Sequence, residues 1–257
     1  MARIFITGSV DGLGRAAAES LADEGHEIVL HARNATRAAD LGTLADRATA
    51  VVTGDLSSAE ETRSVAEQVN AVGRMDAVIH NAGVYIERER GATPEGHART
   101  FAINTLAPYL LTALIERPDR LVYLSSGLHR SGTADLGDLD WNTRRWDAGQ
   151  AYADSKLLVT TLAAALARRW PGVRTAAVDP GWMPTKMGGP SATGDLSRGH
   201  LTQVWFATAP EAEAAPSGAY WFDLAQRAPH PAALDPRFQD ESIAALADLT
   251  GERLGPS

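Results

Sequence analysis

Tyr152 and Lys156 stand four residues apart in Tyr-Ala-Asp-Ser-Lys, at the start of a long helical pattern, so one turn of helix sets a phenol and an ammonium on one face. A phenol of ordinary pKa, about 10, exchanges protons poorly near neutrality, and moving it by roughly three units takes about 4 kcal/mol. An ammonium about 4 Å away supplies that much at an effective dielectric of about 20. The pair can therefore exchange a proton with a substrate oxygen. The spacing is common by chance, so the chemistry needs support from elsewhere in the chain.

That support begins at Thr7-Gly8-Ser9-Val10-Asp11-Gly12-Leu13-Gly14, which directly follows an apolar strand and opens a helix. Glycines there permit a tight turn, close approach of backbone to a pyrophosphate, and close packing of helix on strand. The helix start offers free N–H groups to the phosphate. The second strand ends His31-Ala32-Arg33-Asn34, without the carboxylate that would bind a ribose 2′-hydroxyl. Arg33 can instead meet a 2′-phosphate through charge-assisted hydrogen bonds. This predicts NADP(H) over NAD(H).

The elements that must carry these residues alternate. Strands are predicted at Arg3–Thr7, Glu27–Ala32, Ala50–Thr53, Ala77–His80, Leu121–Ser125, Thr175–Asp179 and Ala219–Phe222. Helices are predicted at Gly14–Asp23, Ala35–Arg47, Ser58–Val72, Gly96–Glu116, Gly149–Arg169 and Ser197–Ala207. Continuous apolar runs such as Ile28-Val29-Leu30 suit strands buried on both faces. The expectation is one α/β Rossmann-fold domain over residues 1–257, a doubly wound seven-stranded parallel sheet with helices on both faces. Segments near 127–148 and 182–205 lack periodicity and are expected to act as substrate lids. A proline-rich extension over 223–257 ends in a short helix, with Asp235 as cap and Pro236 at its first position.

With all these motifs in this order, the chain closely resembles the short-chain dehydrogenase/reductase family, through at least its first 185 residues. Thr7–Gly14 matches T-G-x-x-x-G-x-G, and Asp55-Leu56 the segment beside the adenine. Asn81-Ala82-Gly83 matches N-A-G, and Pro180-Gly181 with Thr185 matches P-G-x-x-x-T. The resemblance implies that Tyr152 exchanges a proton with the substrate oxygen and that Ser126, rather than Ser125, hydrogen-bonds that oxygen. It implies that Lys156 lowers the tyrosine pKa and contacts the nicotinamide ribose, and that Asn104 supports a water linking Lys156 to solvent. Gly181 and Thr185 would hold the carboxamide. Relatives often form homodimers or homotetramers through the two helices corresponding to Gly96–Glu116 and Gly149–Arg169.

Three features depart from the family pattern. Ser126 is followed by Gly-Leu-His, and Ser126 and Tyr152 are 26 positions apart, closer to the retinol-dehydrogenase-like branch. Asp154 lies within the tyrosine–lysine turn and is expected to face away from the site. Trp141 and Trp146 are candidate pocket walls or plain packing, as are Trp182, Met183 and Met187. His80 reads as a core residue, whereas His129 and His200 lie in the lid segments within possible reach of substrate. Trp221 and Phe238 could cover the pocket or a subunit interface.

Composition excludes several classes. The 257 residues carry 24 basic and 32 acidic side chains, net charge -8, with no basic stripe, which speaks against nucleic acid or an anionic membrane surface as partner. No cysteine is present and the histidines show no metal-ligand spacing, so no metal site is expected. No apolar run approaches roughly 18 residues, and cytoplasmic residence is expected. The reading is an NADPH-dependent carbonyl reductase or alcohol dehydrogenase acting on a small-to-medium, apolar-sided substrate. Two alternatives are weighed against it. A sugar-nucleotide epimerase or dehydratase fits the glycine spacing poorly, and a redox sensor that binds NADPH without turnover would not need all four catalytic candidates.

Overall fold

A computed structural model describes residues 1–85 and 87–256. Eight strands, Arg3–Ile6 (β1), Glu27–Ala32 (β2), Ala50–Thr53 (β3), Ala77–His80 (β4), Arg120–Leu124 (β5), Arg174–Asp179 (β6), Ala219–Phe222 (β7) and Ala225–Arg227 (β8), form one sheet. Their order is β3-β2-β1-β4-β5-β6-β7-β8. All pairings are parallel as far as β7, and β8 returns antiparallel through Asp223 and Leu224, both at positive φ. The seven expected strands are present, and the eighth corrects the all-parallel expectation. A three-residue edge strand ending in Gln226 and Arg227 carries too little apolar pattern to read as a strand on its own.

Strands β1 to β6 alternate with helices Gly12–Asp23 (α1), Ala35–Ala39 (α2), Thr43–Asp46 (α3), Ala59–Val72 (α4), Arg99–Phe101 (α5), Ala107–Leu114 (α6) and Ala148–Arg169 (α7). Leu201–Thr208 (α8) precedes β7, and Pro236–Thr250 (α9) closes the chain. The single expected helix over 35–47 is broken into α2 and α3 at Gly42, whose φ is +56°. The helix expected from Gly96 starts at Arg99 and passes through a π turn at Ala102–Leu106 before α6. Pro108 explains part of this, because it brings no N–H to pair with the carbonyl of Asn104 four residues earlier.

Each sheet face carries its own apolar layer. On one side Ala17, Ala18 and Leu21 of α1 and Phe206 of α8 pack with Ile4, Ile28 and Val122. On the other, Val65 and Val69 of α4, Tyr109 and Leu111, and Leu157 to Leu166 of α7 pack with Phe5, Val29 and Tyr123. Residues Ala151 to Leu166 of α7 are all buried, since the sheet covers one side of this helix and α9, with the turn at Pro231–Leu234, covers the other. Phe238, Ile243, Leu246 and Ala247 are the buried apolar residues of α9. The expected short terminal helix is thus 15 residues long and seals a helix face. Among the described residues, no helix is long and apolar enough to cross a membrane.

Candidate active site

Connections leave β1 in one direction toward β2 and β3 and in the other toward β4 to β7, so a crevice opens at the carboxyl ends of β1 and β4. The glycine turn lies at this switch point. Gly8 and Gly12 have φ of +68° and +55°. A Cβ on Gly14 would stand 2.3 Å from the carbonyl oxygen of Gly8, so no other residue lets α1 pack this close. Asn81 Nδ2 donates to the carbonyls of Thr7 (3.0 Å) and Gly8 (3.3 Å), and Thr7 Oγ1 accepts from the Ala82 N–H (2.9 Å). Ser9 Oγ accepts from the His31 N–H (3.0 Å). Thr7, Ser9, Asn81 and Gly14 therefore brace the turn from behind or beneath.

His31 was not singled out by its type or position. Its Nδ1 accepts the Gly8 N–H at 3.0 Å and its Nε2 donates to the carbonyl of Gly54 at 2.9 Å, which sets a neutral ring. Burial also pushes its pKa down.

A cleft of about 600 Å³ runs along the strand ends. Gly8, Asp11, Gly12, Leu13, Arg33, Asp55, Leu56, Asn81, Ala82 and Gly83 line one half; Tyr152, Lys156, Pro180 and Thr185 line the other. Arg33 is exposed and, among the described residues, makes no ion pair or side-chain hydrogen bond. Asn34 does not line the cleft; its side chain caps α2 by accepting the Arg37 N–H at 2.9 Å. Arg37 lines the cleft and pairs with Asp11, which also holds Lys186 Nζ at 3.0 Å from the far wall. Neither cation was expected, because each reaches the turn from a separate part of the chain.

At the other end, Tyr152 and Lys156 are buried on one face of α7. Lys156 Nζ donates to the carbonyl of Leu124 at 2.7 Å and lies 5.6 Å from the Tyr152 ring centroid. Burial pushes the Lys156 ammonium down to about 8. The expected depression of the phenol is not seen: burial pushes Tyr152 up to about 12, opposed by a hydrogen bond with Ser126. The cause is that the ammonium is directed to a backbone carbonyl, and the phenol loses more by desolvation than one neighbour returns.

Ser126, half-buried, is the serine beside the phenol, while Ser125 is taken up by Thr160 Oγ1 at 2.7 Å. Asn104 sits in the π turn. Its Oδ1 accepts from the Val84 N–H (2.8 Å), and its Nδ2 donates to the Val84 carbonyl (3.0 Å) and Ser155 Oγ (3.0 Å). Gly83 fits beneath it, since a Cβ there would stand 3.2 Å from Asn104 Oδ1.

A family model described as enoyl-(acyl carrier protein) reductase matches residues 8–213. Short-chain dehydrogenase chyC of Penicillium rubens is 39% identical over 258 residues, covering 99% of each chain. The chain belongs to the short-chain dehydrogenase/reductase family. Human retinol dehydrogenase 13 is 30% identical over 279 residues, covering 96% of this chain and 84% of that one. A crystal structure of a protein from Mycobacterium paratuberculosis superposes with a TM-score of 0.85 at 25% identity, over 99% of this chain and 95% of that one.

Within this dehydrogenase/reductase fold several expected pocket residues lie elsewhere. Trp141 and Trp146 pack edge to face at 5.4 Å with Arg144 over Trp141, so they form the inner packing of the 127–148 segment. Asp154 does face away, accepting from Thr133 N–H (2.8 Å), Gln150 (2.8 Å) and Arg144 (2.9 Å). His129 is buried against Tyr220, and His200 precedes α8; neither lines the cleft. His80 stacks on Tyr123 within the core. Met187 lines the cleft, whereas Met183 fills the interior of its own loop against Gly194 and Gly199, and Trp182 is exposed. Trp221 packs on Trp205, and Phe238 belongs to the cover over α7.

Proposed function

We propose that the protein is an NADPH-dependent oxidoreductase that interconverts a carbonyl and an alcohol, with a small-to-medium, apolar-sided substrate. The observation that carries this reading is one cleft, which joins the glycine turn and Arg33 at one end to Tyr152 and Lys156 at the other, with Ser126 reaching the phenol by a hydrogen bond. The cleft suits a dinucleotide: its volume, the glycine positions that tolerate no Cβ, and the lone exposed arginine at the end of β2 all match the demands of such a ligand.

In this reading Gly8, Gly12 and Leu13 receive the pyrophosphate, Asp55 and Leu56 flank the adenine, and Arg33 meets the 2′-phosphate. Ala82, Gly83, Pro180, Gly181 and Thr185 flank the nicotinamide end. The bound cofactor supplies or accepts hydride. Burial keeps the Tyr152 phenol protonated at neutral pH, so in the reducing direction Oη gives its proton to the substrate oxygen. The Ser126 hydroxyl donates a hydrogen bond to that same oxygen as charge develops on it. Lys156 holds positive charge beside the phenol as it becomes phenolate. Asn104 spends its side chain on Val84, so the water assigned to it meets its main-chain carbonyl, which Pro108 leaves without an i+4 donor.

The test is NADPH oxidation against a panel of ketones, aldehydes and quinones, with the Tyr152→Phe protein as control. Turnover is expected to fall about 100-fold or more, with NADPH binding followed by nicotinamide fluorescence essentially unchanged. Turnover that survives the substitution would remove Tyr152 from the mechanism.

A further inference from the structure

The Gly-Leu-His continuation after Ser126 has a physical counterpart in the structure. A Cβ on Gly127 would stand 3.3 Å from Asp179 Oδ2, closer than ordinary contact, so a glycine lets that carboxylate lie against the serine's turn. Asp179 ends β6 directly before Pro180-Gly181. Its Oδ1 accepts the Gly181 N–H at 2.8 Å, and its Oδ2 accepts the Tyr220 hydroxyl at 2.7 Å. Tyr220, from β7, lies with its ring centroid 4.4 Å from that of His129. His129 Nδ1 in turn donates to the carbonyl of Ser126 at 2.7 Å, and its Nε2 accepts the His230 N–H at 3.0 Å. Ser126 and Gly181 are thus joined through three side chains from three elements, none of which lines the cleft.

We propose that Asp179 is a positioning residue that locks the turn carrying Ser126 against the turn at Gly181 and presents the counter-charge to the Lys156 ammonium. The inference rests on the dehydrogenase reading for its purpose, while its electrostatic half can be measured without cofactor or substrate. Asp179 is half-buried, and its negative charge opposes both loss of the proton from Lys156 and ionisation of Tyr152. The other titratable groups around it are Tyr220 and His129, with Arg130 lying over the Tyr220 ring and Tyr85 edge-on to Tyr152. Tyr220 keeps its proton in this setting, because burial and the adjacent carboxylate both push its pKa far up.

The chain has only two lysines, Lys156 and the exposed Lys186, so lysine carrying ¹³C at Cε gives two separate NMR titrations on the cofactor-free protein. With Asp179→Asn, the Lys156 midpoint is expected to fall by on the order of one pH unit, the size of effect a nearby charge has at an effective dielectric of about 20. Lys186 should not move. Tyr220→Phe leaves the charge and removes one hydrogen bond, so the Lys156 midpoint should hold while kcat in NADPH-driven reduction of 9,10-phenanthrenequinone falls about tenfold and NADPH affinity is kept. Asp179→Glu, the second variant should the asparagine protein not fold, is expected to keep the midpoint with a lowered kcat. An unmoved midpoint in Asp179→Asn, or an equal shift in Tyr220→Phe, would overturn the proposal. Wild-type protein inactive on every probe would defeat the dehydrogenase reading alone, since the titrations still decide the counter-charge.

Discussion

Arg33 stands exposed at the end of β2, and the carboxylate that would select a ribose hydroxyl is missing from that strand end. Arg33→Ala is therefore expected to lower kcat/KM with NADPH by about 10- to 100-fold, the loss of one or two charge-assisted hydrogen bonds in a partly solvated site, and to change NADH little. An unchanged preference would refute its role. At the far end of the cleft the pH dependence follows from two buried groups. Reduction needs the phenol protonated and the ammonium charged. Tyr152 at about 12 stays protonated across the usable range, whereas Lys156 loses its proton near 8. Rates are expected to hold at lower pH and to decline as pH rises through about 8, which a kcat/KM profile would show. Tyr152, Lys156 and the glycine turn were legible because each belongs to a local pattern whose spacing is its geometry, whereas Ser126 was indicated by the family resemblance alone. Arg37, Lys186, Asp179 and His31 were not, because what they do depends on partners brought together only by the sheet. The direction of the tyrosine shift was misread for the same reason: spacing gives proximity on a helix, but not the depth of burial or the Leu124 carbonyl that takes up the ammonium.

Among the elements, α7 carries the catalytic candidates on one face and the anchor of the preceding segment on another. Asp154, 7% exposed, gathers the Thr133 N–H and hydroxyl, Gln150 and Arg144. Replacing it with alanine leaves these donors without their acceptor and should cost about 2–4 kcal/mol. The expected result is a fall in Tm, with faster hydrogen exchange over residues 133–146 than elsewhere. Unchanged exchange there would show that the tryptophan pair holds the segment unaided. The βαβ succession was readable from continuous apolar runs, because strands buried on both faces leave that mark. The break at Gly42 and the π turn around Asn104 were not read, although Gly42 and Pro108 were the signals. The eighth strand left none, since its hydrogen bonds come from pairing with β7 and not from a pattern of its own.

At the scale of the whole molecule, α9 lies over the face of α7 through which the family resemblance implied contacts between subunits. Phe238, Ile243 and Leu246 of α9 are buried, Arg168 and Arg169 pair with Asp240, and Trp170 Nε1 donates to the carbonyl of Gly255 at 3.0 Å. Arg63 pairs with Glu252, and Tyr109 donates to the Glu252 carbonyl at 2.9 Å, so the tail also crosses α4 and α6. Association through the faces of α6 and α7 turned away from the sheet would have to displace this cover. Three large apolar side chains at roughly 1.5–3 kcal/mol each oppose that, a sizeable part of the 5–15 kcal/mol that holds a typical domain folded. The full chain is accordingly expected to sediment as a 27.3 kDa monomer, and a full-length dimer would overturn this. A chain ending at Ala228 would present the apolar face of α7 to water and should self-associate or precipitate. Phe238→Ala, which keeps the helix but opens a cavity, should stay monomeric while losing about 3 kcal/mol. The same cover reaches the active site through the His230 N–H bonded to His129, so loosening the tail should lower kcat before it alters NADPH affinity.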